Sequence, residues 1–304
     1  METSGRHKGI LSYLSKKIAK RYLRNISKEH FRTKNQLAML SFDFISQIIS
    51  IDGRFEDNEL NLIERYLSDN LNDKVIIDLG ANIGNHSLSF SKFSKEVLAF
   101  EPNPFIFDLL KTNTKKIKNI KIFNFGASNK KTSIIAKIPK LNCGGGSLKL
   151  DKKNSKANQF YEAVFNLIPL DKIPVLKRKD IGLVKIDVEG HELHALKGMV
   201  SLLKKNKPII VFEQNRGIKN KTSAEVRFLK NLGYKFLYDL KKREEWMTPH
   251  YLPKFFESFF KFFEVLFFGE PSPEFDLHII TSLEKSSYDM LIYSFEEIMK
   301  PNSN

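Results

Sequence analysis

The 304-residue chain has one cysteine, one tryptophan and far fewer acidic than basic residues. The lone thiol, Cys143, excludes an intramolecular disulfide framework and a cysteine-based zinc cluster, and a reducing cytosol is the simplest setting for it. No apolar run is long enough to span a bilayer, and the first residues show no apolar h-region of the kind a secretory signal needs. Repeats of solenoid length are absent as well. What remains is a chain rich in Lys, Phe and aliphatic residues. Its 41% hydrophobic content can fill a sizeable core, and its length suits one large domain with extensions or two small domains.

The net charge of +15 is unevenly placed. Residues 1–36 hold ten Lys or Arg against Glu2 and Glu29. Apolar positions at Ile10, Tyr13, Leu14, Ile18, Tyr22 and Ile26 recur between those basic residues, which reads as a basic amphipathic helix over 9–26. Such a segment suits an anionic partner, and a solvated tail in a lysine-rich protein explains it equally well. Residues 37–50 read as a short buried helix or strand, and Asp57 to Leu67 as a helix with Asp57 as N-cap.

From Lys74 onward short apolar strands alternate with helices. Strands are expected at 75–77, 97–100, 120–125, 181–186, 208–212, 233–238 and 277–281. Helices are expected at 87–93, 104–114, 192–203 and 223–231. This alternation implies a mostly parallel sheet covered on both faces. The domain division expected is a basic extension over 1–36, a catalytic α/β domain over 37–285 and a tail over 286–304. Two stretches interrupt the alternation: 127–172, and an insert over 239–276 that holds the phenylalanine-rich run Phe255 to Phe268.

The first strand runs into Asp78-Leu79-Gly80-Ala81-Asn82-Ile83-Gly84-Asn85. Gly80 permits a tight turn without a Cβ, and Gly84 permits the next helix to pack closely. Glu101 ends the second strand about twenty residues on, where a carboxylate can accept two ribose hydroxyls. The pair allows a dinucleotide or S-adenosylmethionine. The turn is Gly-x-Asn-x-Gly, without the Gly-x-Gly-x-x-Gly that brings amides against a pyrophosphate. Asp78 would repel a pyrophosphate and suit an ammonium, and the late strands suggest a terminal hairpin. These features favour S-adenosylmethionine. Asn103, which follows Glu101, and Ala127 and Ser128, which end the third strand, would flank the nucleoside. Asp78 and Glu101 could instead merely cap the helices that follow them.

Lys185-Ile186-Asp187-Val188-Glu189-Gly190-His191-Glu192 closes the fourth strand, and Glu213 closes the fifth. Methyl transfer to a hydroxyl needs alignment and a proton acceptor. The candidates are Asp187, Glu189, His191 and Glu213, with His86 beyond the glycine turn. Asp187 serves as base or as binder of the methionine arm, Glu192 suits the dipole of the following helix, and Lys185 reads as a partner for a carboxylate. Asp187, Glu189 and Glu213 are compatible with a divalent ion through oxygen, and nothing in their spacing requires one.

Together these segments resemble the FkbM family of methyltransferases. The matching pieces are Ile77 to Gly84, Phe100 to Pro104, Gly145 to Leu148, Ile168 to Asp171, Val184 to Glu192 and Val211 to Glu213, in order over roughly 55–240. The resemblance implies a Rossmann-like class I methyltransferase fold: a seven-stranded, mostly parallel sheet with an antiparallel last strand and helices on both faces. It also implies S-adenosylmethionine as cofactor, S-adenosylhomocysteine as product, and Asp78, Gly80, Asn82, Gly84 and Glu101 as cofactor residues. The acceptor implied is a sugar hydroxyl in a surface glycan or its lipid-linked precursor. The basic extension and the phenylalanine run depart from the family pattern. They suggest a cytoplasmic enzyme touching an anionic membrane face, and the phenylalanine run alternatively suggests a dimer interface or a lid. The alternatives are an RNA methyltransferase, disfavoured because no RNA-binding module accompanies the charge, and a degenerate methyltransferase acting as a scaffold.

Overall fold

The structure is a computed structural model, and it describes residues 10–33, 36–141, 143, 160–213, 223–242, 275–279, 290–294 and 298. Three helices come first: α1 (Ile10–Thr33), α2 (Phe44–Asp52) and α3 (Asp57–Leu71). The basic helix extends past the range read from its apolar spacing. Where 37–50 reads as a short buried helix or strand, Phe44–Asp52 is helical, because Asp43 accepts from the Ser46 amide at the N-cap and Gly53 closes the helix at φ 82°. The N-cap of α3 is Glu56, not Asp57. Glu56 sits in left-handed backbone at φ 52° with no side-chain cap bond, while Asp57 pairs with Arg54 inside the first turn.

The main sheet is built from β1 (Val75–Leu79), β2 (Glu96–Phe100), β3 (Ile120–Phe123), β7 (Ile181–Ile186), β8 (Ile209–Glu213), β9 (Phe236–Lys242), β10 (Phe275–Ile279) and β11 (Met290–Ser294). Its order is β10-β9-β11-β8-β7-β1-β2-β3. Strands β3, β2, β1, β7 and β8 are mutually parallel; β11 runs antiparallel to both β8 and β9, and β10 antiparallel to β9. This is the Rossmann-like, class I methyltransferase arrangement, with the order reversing between β1 and β7. Both faces of the central strands are buried. Ile77, Leu79, Leu98, Phe100, Val184 and Ile186 pack on one side, and Ile76, Val97 and Leu183 on the other. Period-two alternation therefore gives each strand two apolar faces, which is why the strands read as continuous apolar runs.

The sheet has eight strands among the described residues, one more than expected. The run at 277–281 pairs with β9 as an edge strand, slightly earlier than read. The antiparallel strand beside β8 is Met290–Ser294, from the stretch read as a tail. Met-Leu-Ile-Tyr-Ser is short and lies after the last clear turn signal, so its apolar pattern alone did not distinguish it. The long helix expected over 192–203 is two helices, α6 (Glu192–Lys197) and α7 (Val200–Asn206). The break falls at Gly198, where a Cβ would stand 2.0 Å from the Ser128 carbonyl oxygen, so this close approach requires glycine.

Helices α4 (Asn85–Phe90), α5 (Pro104–Thr114) and α8 (Ala224–Asn231) complete the described α-helices, and two short 3-10 helices, Leu170–Lys172 and Pro174–Arg178, precede β7. Within 127–172 lies a second sheet, in the order β4 (Gly126–Ala127), β6 (Phe160–Ile168), β5 (Thr132–Pro139). Its inner face, with Ile138, Phe165 and Leu167, packs with Ile49 of α2 and Ile106 of α5. The small sheet is thereby fixed beside the carboxyl ends of β1 and β2. The phenylalanine run at 255–268 and the glycine segment at 144–148 lie outside the described residues. No described helix is long and apolar enough to cross a membrane.

Candidate functional site

The turn after β1 is held by backbone bonds that its sequence permits. Gly80 (φ 76°), Asn82 (φ 50°) and Gly84 (φ 98°) all occupy left-handed backbone, open to glycine and tolerated by asparagine. The amides of Gly80 and Ala81 both donate to the Phe100 carbonyl at 3.0 Å, which ties the turn to the end of β2. Side chains are excluded at Gly80, because a Cβ there would meet the Asp187 carbonyl oxygen at 1.8 Å. The tips of β1 and β7 are therefore pressed together at the point where the sheet order reverses, where ligands of open α/β sheets bind.

Glu101 lies directly across this turn and is buried. Its Oε2 accepts from the Asn82 amide at 2.9 Å and its Oε1 from the Asn103 amide at 2.8 Å. Each oxygen retains acceptor capacity for a further hydroxyl. Burial pushes the Glu101 carboxyl up to about 7, against the pull of those two amides and Lys185. Asn103 caps α5 through Phe105 N, and its Nδ2 donates to Tyr161 Oη at 3.0 Å and to the Cys143 carbonyl at 3.3 Å. The second sheet is thus latched to the nucleoside side of the turn.

A cleft opens between these elements. Gly80, Glu101, Asn103, Asp187, Glu189 and His191 line it, and Pro102, Ala127, Phe165 and Leu167 supply apolar walls. The residues suit S-adenosylmethionine. The apolar walls suit a flat base, Glu101 a ribose diol and the bare Gly80 an amino-acid arm.

The far side of the cleft is acidic. Asp187 Oδ2 lies 3.0 Å from Lys185 Nζ. Glu189 stands in left-handed backbone at φ 53° with its surface still exposed, and partial desolvation, then Asp187 and Glu192, push its carboxyl up to about 7. Glu213 ends β8 with its side chain exposed, and partial desolvation, then Asp187, Glu189 and Glu192, push its carboxyl up to about 8. Glu192 Oε1 accepts from the Gly190 amide at 2.8 Å at the start of α6, in keeping with a helix-dipole role. His191 Nε2 lies 3.0 Å from Ser128 Oγ, and its ring stacks on His194 with centroids 4.5 Å apart.

Seven of the residues picked out from sequence line this cleft: Gly80, Glu101, Asn103, Ala127, Asp187, Glu189 and His191. Ser128 stands behind His191. Six others, besides Ser128, do not line it. Asp78 is wholly buried, with Oδ2 accepting from Ser87 Oγ at 2.6 Å, because its strand position points it under the turn. Asn85 turns away to clasp the backbone of Phe55, accepting from its amide at 3.1 Å and donating to its carbonyl at 2.8 Å. The Asn82 side chain accepts from the Ile83 amide, and Ala81 and Gly84 serve the turn and its packing on Leu110. Glu213 does not line the cleft, and reaches it through its field on the neighbouring carboxylates. His86 contacts Glu56 Oε2 at 3.0 Å from its Nε2. Among the described residues, no three of His, Cys, Asp and Glu converge closely enough to hold a metal ion.

Sequence reasoning missed Glu56, Pro102, Cys143, Phe165 and Leu167. Pro102 adjoins Glu101 and could have been found by position, but the others approach only through tertiary packing.

Residues 78–236 match the model of the methyltransferase FkbM domain. The chain belongs to the FkbM methyltransferase family. It is 32% identical over 154 residues to the hexuronic acid methyltransferase AglP of Haloferax volcanii, a match covering 50% of this chain and 61% of that one. A shorter match, 38% identical over 69 residues, links 22% of the chain to 25% of a probable ribosomal RNA small subunit methyltransferase A of Methanosphaera stadtmanae. Among solved structures, a methyltransferase FkbM from Methylobacillus flagellatus aligns at 18% identity with a TM-score of 0.38, covering 73% of this chain and 56% of that one. The chain thus spans less than two thirds of the AglP and M. flagellatus relatives. The FkbM segments at the turn, at Glu101 and at 184–192 are those that meet in the cleft.

Proposed function

We propose that this FkbM-family chain is an S-adenosylmethionine-dependent O-methyltransferase that methylates a hydroxyl of a sugar, of the acidic kind named for the Haloferax relative. The observation that carries the reading is the joining, in one cleft, of a buried carboxylate at the β2 end, a side-chain-free turn and a carboxylate-lined far side. When bound, the cofactor supplies an electrophilic methyl group on a sulfonium. Glu101 holds the ribose, and Asp187 meets the amino-acid arm. Glu189, raised to about 7 and at the cleft, accepts the hydroxyl proton of the acceptor, and desolvation together with Asp187 and Glu192 keeps that carboxyl poised near neutrality. His191, set by Ser128, faces the same space.

Radiolabelled methyl transfer from S-adenosylmethionine to a panel of uronic-acid and neutral glycans tests the reading. Label should enter an acidic glycan and disappear in Glu189→Gln. Label confined to RNA would replace the sugar with the acceptor class of the Methanosphaera relative, and RNA binding would then weaken steeply with salt. Membrane contact belongs to the same proposal. In α1 the basic Lys16, Lys17, Lys20, Arg21 and Arg24 are exposed beside exposed Tyr13, Ile18 and Tyr22, a pairing that suits an anionic lipid face.

A further inference from the structure

Asp78 opens the glycine turn in the sequence, yet nothing in the cleft can reach it. The strand register gives another route. On the neighbouring parallel strands β1 and β7, Asp78 stands opposite Lys185, and Asp187 follows two residues later. Alternation along a strand puts Lys185 and Asp187 on one face, beneath the turn. Lys185 Nζ is buried, lying 3.0 Å from Asp187 Oδ2, 3.5 Å from the Gly80 carbonyl and 3.8 Å from Asp78 Oδ1. Asp78 Oδ1 has no hydrogen-bond partner among the described residues, so this ammonium is its counter-charge. Two carboxylates around one ammonium leave a single net negative charge. Of the three side chains only that of Asp187, 28% exposed, opens to the cleft; Asp78 and Lys185 are 0% and 2% exposed.

We infer that Lys185 is a positioning residue of the cofactor site: by bridging Asp78 to Asp187 and to the Gly80 carbonyl, it presents the Asp187 carboxylate to the ammonium of the methionine arm, and Asp78 acts only through it. This rests on the cofactor reading above. Buried ion clusters hold their geometry only while each charge is compensated, so removal of the lysine leaves two carboxylates facing each other across the turn. Glu189, Glu192, Glu213 and Glu56 also bear on this cluster with negative charge, and Lys185 is the cation opposing them.

The test compares binding of S-adenosylhomocysteine with that of 5′-methylthioadenosine, which lacks the amino-acid arm, by calorimetry. Wild type should prefer the armed nucleoside. Lys185→Met should lose about tenfold or more of its affinity for S-adenosylhomocysteine, the scale of a broken charged hydrogen bond, and keep its affinity for methylthioadenosine within about twofold. Lys185→Arg should recover part of the preference. Should Lys185→Met fail to fold, the Asp78→Asn/Lys185→Met double variant removes both buried charges and should fold while still lacking the preference. An unchanged preference in a folded Lys185→Met or double variant overturns the role of Lys185 alone. Wild type that binds neither nucleoside overturns the cofactor reading itself.

Discussion

At the scale of single residues, Glu101 does two things at once: its oxygens satisfy two backbone amides and remain available to a ligand. Glu101→Ala should therefore cost both binding and stability. Two buried donors left unmade cost about 1–3 kcal/mol each, visible as a lower urea midpoint, and affinity for S-adenosylhomocysteine should fall more than tenfold by calorimetry (about 1.4 kcal/mol or more). Ribose hydroxyls donating to this carboxylate would lower its pKa from about 7, so binding near pH 7 should release a proton and affinity should rise with pH. Calorimetry in buffers of different ionisation enthalpy would read that proton; proton uptake in its place contradicts the ribose role. The two glycines of the turn should differ. Gly80→Ala forces Cβ onto the Asp187 carbonyl as well as into left-handed strain of about 1–3 kcal/mol, so little folded protein is expected. At Gly84→Ala the nearest atom is the end of the Leu110 side chain at 3.0 Å, which can shift, leaving mainly the strain term. Circular dichroism melts of the two variants separate these outcomes.

Individual elements show what the sequence made legible and where it stopped. β1, β2, β7 and β8 were readable because strands buried on both faces are nearly pure apolar runs, and the glycine turn and Glu101 were readable because their spacing follows from strand length. The α6–α7 break was not, because Gly198 matters only through its approach to Ser128 from a distant strand. The wall made by β5 and β6 alternates exposed and buried residues and gave no site signal, although Phe165 and Leu167 line the cleft. Asp78 was read from its place in the motif, and only the register with Lys185 shows it turned inward. Asp43 joins two such elements: it caps α2 through the Ser46 amide and accepts from the Cys143 amide at 2.8 Å. Asp43→Ala should cost about 1–2 kcal/mol through the cap, more through the stranded Cys143 amide, and should expose the thiol, which labels slowly while buried. A labelling rate equal to wild type would separate α2 from the cleft wall.

For the molecule as a whole, the acidic side of the cleft sets a pH dependence. Glu189 and Glu213 have folded-state values near 7 and 8, above the ordinary 4.5, so the folded protein binds their protons more tightly than the unfolded chain does. Their contribution favours folding below about 4.5 and is lost as pH rises through 7 to 8. Glu213→Gln should thus melt higher than wild type at pH 8.5 and alongside it at pH 5. The rate of methyl transfer should move the opposite way, rising across pH 6–8 as Glu189 ionises. The charge of +15 acts over longer range. Deletion of residues 1–36 should reduce flotation with anionic vesicles and spare binding of S-adenosylhomocysteine, and equal flotation of both forms would remove α1 from membrane contact.

The seat of β11 between β8 and β9 has a consequence for biosynthesis. The ribosome makes β8 and β9 well before residues 290–294 emerge. Until then the nascent sheet carries a vacant slot with two unpaired edges, the kind of surface that recruits chaperones or stray strands. Final closure must wait for a piece translated some fifty residues after β9 begins, so a stalled or nicked product lacking it would be a target for quality control even with its cofactor pocket already formed.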